Sequence, residues 1–252
     1  TLYDQTNFDD DVVINSGTFS GAASGALTPD GTRATLVTTD ATAAGDTETY
    51  TLTYNVTLNL TNGIGTDGDD VYTTCDDDST TGAPGEAGKG LFNTASIDTD
   101  GDGQPDAGDD ACGDLPAYEL DKTFVSAVQQ PNGTYEVTYT VTVSNVGGAD
   151  GQYDLSDTPG FENDVTINSG SFSGEESGNL NLTGTTQLAD DNPITAGTME
   201  TYTLAYNVTL DLSGTANDGG DDVYTACAGG SAEGLTGTPG TGLYNRADLD
   251  TN

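Results

Sequence analysis

Apolar and polar residues alternate strictly over long stretches of this chain. In Thr47–Leu60 (TETYTLTYNVTLNL), Tyr50, Leu52, Tyr54, Val56, Leu58 and Leu60 fall on one face, and Thr49, Thr51, Thr53, Asn55, Thr57 and Asn59 fall on the other. Residues 199–212 do the same with Tyr202, Leu204, Tyr206, Val208, Leu210 and Leu212, and residues 133–146 with Tyr135, Val137, Tyr139, Val141 and Val143. A period of two with one apolar face predicts antiparallel strands that turn one side to a core and the other to water. Shorter strands are predicted at 11–15, 33–38, 69–74, 118–128, 164–168 and 221–226. Clusters of Gly, Asn, Asp and Pro separate them, among them Pro131-Asn132-Gly133 as a hairpin turn. No segment carries the period of an amphipathic helix. The expected fold class is all-β, built as antiparallel β-sandwiches.

The alternating stretches also repeat one another. METYTLAYNVTLDL (Met199–Leu212) matches TETYTLTYNVTLNL at eleven of fourteen positions, offset by 152 residues (Thr47 to Met199). INSGTFSG (Ile14–Gly21) returns as INSGSFSG (Ile167–Gly174), and GDDVYTTC (Gly68–Cys75) as GDDVYTAC (Gly220–Cys227). GLFNTASIDTD (Gly90–Asp100) returns as GLYNRADLDTN (Gly242–Asn252). Such self-similarity predicts tandem domains of one fold, with boundaries at 1–97, a linker at 98–114, and 115–252.

The two copies are not of equal extent. Residues 115–151 supply two long strands ahead of the block beginning Tyr153-Asp154, whereas Tyr3-Asp4, taken as the matching block, stands almost at the start of the chain. The first domain is therefore expected to lack its two leading strands and to expose a sheet edge and a core slot. Strands of a neighbouring copy, or an upstream part of a longer chain, would fill that slot. Thr1 opens no signal peptide, so the chain reads as a mature or trimmed segment.

Charge narrows the partners. Forty-two acidic residues against four basic ones give a formal charge of −38, with no histidine. Four cations cannot neutralise a run of phosphates, so nucleic acid and anionic membrane surfaces are not expected partners. No apolar run approaches the ~20 residues of a membrane-spanning helix, so no membrane insertion is expected. The absence of histidine removes the commonest general base and every Ser-His or Cys-His pairing, so no enzyme is expected. Cys75 and Cys227 are repeat equivalents, while the counterpart of Cys112 would fall at position 264, beyond Asn252. The simplest account is one disulfide per repeat, Cys75 to Cys112, with Cys227 left over; three buried thiols are the alternative. A disulfide implies an oxidising, extracellular setting.

One stretch carries candidate chemistry. In DTDGDGQPDAGDDAC (Asp98–Cys112), Asp98, Asp100 and Asp102 alternate and Gly103 follows the third. Ca2+ takes six to eight oxygen ligands, and alternate aspartates can bring three carboxylates round one ion. The Gln104 carbonyl adds a backbone oxygen, Asp106 acts through water, and Asp109 closes the shell. A solvated acidic linker is the alternative. Asp67, Asp69 and Asp70, repeated as Asp218, Asp221 and Asp222, form a second candidate cation set for which an acidic turn is the simpler reading. N-x-T sequons at Asn55, Asn59, Asn132, Asn181 and Asn207 permit glycosylation without indicating it in so Thr-rich a chain.

The aspartate stretch resembles the loops of thrombospondin type 3 and dockerin-like calcium repeats over Asp98–Cys112 only, which implies a structural calcium site that stiffens a linker. Leu120–Phe161 (LDKTFVSAVQQPNGTYEVTYTVTVSNVGGADGQYDLSDTPGF) resembles the Ig-like repeats of giant bacterial surface proteins. The resemblance rests on Lys122-Thr123, on Tyr139–Asn145 and on Asp157-Thr158-Pro159; in the first domain Asn7-Phe8-Asp9 replaces that last block. It implies tandem Ig-like sandwiches at a cell surface, in a structural or adhesive role. The leading expectation is thus a subunit of an extracellular filament or surface array, whose partners are further copies of itself. The alternative is an adhesin stalk or glycan-binding module, for which outward-facing Tyr72, Tyr118 or Tyr244 would be the sign.

Overall fold

The structure, a computed structural model, describes residues 1–28, 31–38, 42–58, 75, 85, 87–210, 227 and 238–251. These residues form strands and no helix, and the chain divides into two compact units. Unit 1 comprises Thr1–Ala117 with Gly147–Ala149, and unit 2 comprises Tyr118–Val146 with Asp150–Asn252.

In unit 2, β8 (Tyr118–Gln129) and β9 (Tyr135–Asn145) form a hairpin through the predicted Pro131-Asn132-Gly133 turn, where Gly133 takes a left-handed φ of 87°. They are followed by β10 (Gly151–Pro159), β11 (Val165–Ser173), β12 (Ser177–Asn179), β13 (Thr186–Ile194), β14 (Met199–Leu210) and β15 (Asn245–Asp250). One sheet runs β12-β11-β14-β9-β8, the other β13-β10-β15, and all recorded pairings are antiparallel. A single apolar cluster joins the two sheets: Val137, Tyr139, Val141 and Val143 from β9, Tyr202, Leu204, Tyr206 and Val208 from β14, Tyr153 and Leu155 from β10, and Leu188 from β13. The alternation read from the sequence is thus an inside–outside alternation, and the arrangement is sandwich-like.

Unit 1 contains β1 (Leu2–Thr6), β2 (Val12–Gly21), β3 (Gly25–Leu27), β4 (Ala34–Val37), β5 (Tyr50–Leu58), β6 (Asn93–Ile97) and β7 (Ala107–Ala111). Its sheets run β3-β2-β5 and β4-β1-β6-β7. The pairing of β2 with β5 follows that of β11 with β14, including a register shift after Ile14 in one and after Ile167 in the other. That shift lies in the repeated INSG. A Cβ on Gly17 would come 2.8 Å from the Tyr54 ring and 2.9 Å from Leu27; one on Gly170 would come 3.0 Å from both Tyr206 and Leu180. The glycine is needed because a tyrosine ring packs flat over the backbone there.

Two placements differ from the sequence expectation. Asp4 pairs with Ala34 and Ala95, and Asp157 pairs with Thr186 and Ala247. Each accepts a hydrogen bond from the matching tyrosine, Tyr54 or Tyr206. Asp4 therefore corresponds to Asp157, and Asp4-Gln5-Thr6, not Asn7-Phe8-Asp9, occupies the place of Asp157-Thr158-Pro159. The recurring Tyr-Asp dipeptide points to an alignment three residues away, which the strand partners override. The aspartate stretch, expected as a linker, connects β6 to β7 and belongs to unit 1. Strand β7 is not foreseen, since AGDDA has no apolar face; it lies exposed at the sheet edge and, among the described residues, pairs with β6 alone. The strands expected at 69–74 and 221–226 lie outside the described residues.

Candidate functional site

The β6–β7 connection is wound around one carboxylate. Asp98 is 3% exposed and accepts the backbone N–H of Gly101 at 2.7 Å and of Gly103 at 3.0 Å. Both glycines take left-handed φ values, 80° and 86°, which bring their N–H groups inward. Asp100 accepts the N–H of Asp102 at 3.1 Å, and Asp102 that of Gln104 at 2.8 Å. Asp106 accepts both the N–H and the hydroxyl of Thr99, which holds its carboxyl below the usual carboxylate range. Oxygens of Asp98, Asp100 and Asp106 all lie within 4.8 Å of one another.

Asp102 and Asp109 stand outside that trio. Asp109 is on β7 opposite Ala95, with its carboxylate on the N–H of Asp110 at 3.1 Å. The Gly103 carbonyl accepts a hydrogen bond from Arg33 at 3.1 Å, and the Arg33 guanidinium lies 4.1 Å from the Tyr3 ring centroid. Three converging carboxylates, one of them buried, form an anionic cradle of the kind that takes a hard divalent cation. Asp67, Asp69, Asp70, Asp218, Asp221 and Asp222 lie outside the described residues. Cys75 and Cys112 lie at disulfide distance, with Cα atoms 5.8 Å apart, and Cys227 is a free, exposed thiol.

A second feature is a sheet edge. In unit 2, β14 lies between β11 and β9, and Tyr202, Leu204 and Tyr206 are fully buried. In unit 1, β5 pairs with β2 alone among the described residues, and Tyr50, Leu52, Tyr54 and Val56 are only half-buried. The chemistry of the two strands is nearly identical, so the difference comes from the neighbour. Among the described residues, unit 1 shows no counterpart of the β8–β9 hairpin.

That hairpin also brings a cation inside unit 2. Lys122 on β8 forms an ion pair with the fully buried Asp157, while Tyr206 donates its hydroxyl to the other carboxylate oxygen at 2.7 Å. Burial pushes the Lys122 ammonium down, and Asp157 opposes that shift. The Lys122 nitrogen lies 5.5 Å from the Tyr139 ring centroid. Sequence reading quoted Lys122 and Asp157 as motif residues but did not join them. The available signal was one of only four basic residues in the whole chain, placed in a strand. Tyr118 donates its hydroxyl to the Gln152 carbonyl at 2.8 Å and the Tyr244 ring packs over Gly160, so neither stands out as a free aromatic platform; Tyr72 lies outside the described residues. Comparison with protein-family models, with curated proteins and with solved structures finds no match.

Proposed function

We propose that this protein is a structural subunit of an extracellular bacterial filament or surface array, built from calcium-stiffened Ig-like repeats joined end to end by strand donation between copies. The observation that carries this reading is the contrast between two near-identical strands: β14 is closed by β9 and buried, while β5, which pairs with β2 alone among the described residues, is half-buried. An added strand would complete the backbone hydrogen bonds along β5, and side chains like those of β9 would cover the slot. Each apolar side chain so buried contributes about 1.5–3 kcal/mol. The disulfide fits an oxidising setting.

Ca2+ is the proposed ion at Asp98, Asp100 and Asp106, where the sequence spacing puts Asp102 in the first three and Asp106 behind a water; Asp102, the Gln104 carbonyl and Asp109 complete the proposed ligand set. The convergence of three carboxylates supports it. Bound to the folded state only, the ion stabilises unit 1 by about 2.7 kcal/mol at a hundredfold excess over Kd. Excess chelator should therefore lower the melting temperature, and an unchanged melting temperature would count against the calcium site. Electron microscopy of the concentrated protein in calcium tests the assembly: filaments or ordered arrays are expected, and isolated particles at every concentration would overturn the reading.

A further inference from the structure

Unit 1 buries a carboxylate that no cation among the described residues reaches. Asp4 is 3% exposed, and its partners are the Tyr54 hydroxyl and the Asn93 side chain. No ion pair reaches it among the described residues. Its counterpart Asp157 keeps the equivalent tyrosine, Tyr206, and adds Lys122. The surroundings otherwise agree closely. The Phe8 ring meets Tyr54 edge-on at 5.6 Å, as Phe161 meets Tyr206 at 5.3 Å. Burial without a cation raises the Asp4 carboxyl above its usual range. The charge and the strands go together, because Lys122 belongs to β8, which has no counterpart among the described residues of unit 1.

We infer that the open edge of unit 1 takes a lysine-bearing β hairpin of the Tyr118–Asn145 kind, supplied by another copy of the repeat, and that the lysine, seated on Asp4, selects the donor. This rests on the strand-donation reading above. The register follows from unit 2, where Tyr202 faces Val141, Leu204 faces Tyr139 and Tyr206 faces Val137, with Lys122 beside Val141 on the outer strand. Transferred to unit 1, the donor's valine, tyrosine and valine stand opposite Tyr50, Leu52 and Tyr54. An apolar hairpin without the lysine would add a further apolar layer over the already buried Asp4 and leave its charge unmet, which disfavours it. In a chain with 42 acidic and four basic residues, a required lysine also rejects most of its strands as wrong partners.

The test adds a synthetic peptide of residues 115–147 to the full chain and follows hydrogen exchange of Tyr50–Leu58 together with the binding isotherm. The native peptide should protect β5, and a peptide carrying Lys122→Met should bind at least about tenfold more weakly, the loss expected when one partner of a buried charge pair is removed. Against the Asp4→Asn chain the two peptides should bind alike. If neither peptide protects β5, strand donation itself fails. If both protect it equally in the unsubstituted chain, donation stands and selection by lysine is overturned. Should Asp4→Asn not fold, the pH profile replaces it: the preference for lysine should fade as Asp4 protonates in acid, and a preference constant with pH would overturn the inference.

Discussion

At the scale of single residues, the buried aspartates are the most consequential groups. Asp157 is tolerable in the core because Lys122 and Tyr206 both reach it. Replacing Lys122 by Met leaves that carboxylate buried and unpaired, so unit 2 should lose about 3–5 kcal/mol in chemical denaturation. Replacing both residues by apolar ones should cost much less. Asp4 makes the fold sensitive to pH. Its folded carboxyl is raised above the unfolded value, chiefly by burial. It therefore favours folding most below the unfolded carboxylate range, and that contribution is lost as pH rises through the raised value. Asp4→Asn keeps an oxygen for the Tyr54 hydroxyl and cannot ionise. The unfolding free energy of the native chain should thus fall relative to Asp4→Asn between acid and neutral pH; parallel curves would contradict the assignment.

At the scale of elements, strands were legible where one face is apolar and illegible where it is not. β5, β9 and β14 follow directly from alternation, since their inner residues are the core. β7 and β12 carry no such pattern and exist because a neighbouring strand offers backbone partners. The aspartate spacing was equally legible, but which carboxylates converge was not. Asp98 is drawn inward by two glycine N–H groups and Asp109 is held out on β7, and neither pull is a property of spacing. Two element-scale outcomes are expected. Gly170→Ala should destabilise unit 2 by about 1–3 kcal/mol, because the new methyl meets Tyr206 and Leu180, and a calorimetric melt would read it. Removing the Cys75–Cys112 link, 37 residues apart, should cost unit 1 about 4 kcal/mol by loop-closure entropy, seen as an earlier denaturation midpoint under reducing conditions.

At the scale of the whole molecule, charge sets the conditions under which the fold holds. A formal charge of −38 repels itself, and mobile ions screen that repulsion over about 10 Å at 0.1 M salt and about 3 Å at 1 M. Melting temperature should therefore climb with sodium chloride even in the presence of chelator. A flat profile would mean that the charges are already neutralised by bound ions. The same field bears on assembly, because two copies that meet must bring like charges together. Screening by salt and cation binding at the aspartate loop both ease that approach, so filament formation under the proposed function should be steeply dependent on ionic strength.

The sequence by itself determined the all-β class, the inner faces of the long strands and the repeated blocks. These are properties of periodicity and count, which need no neighbour to be read. Only the tertiary structure decided that Asp4 answers to Asp157, that the aspartate loop turns a hairpin, and that Lys122 sits on a buried carboxylate. Each of those depends on which strands lie side by side, and residues far apart in the chain meet only through that pairing. The half-buried face of β5 is where the two kinds of knowledge join: alternation says what the strand would bury, and the fold shows that β2 alone pairs with it among the described residues.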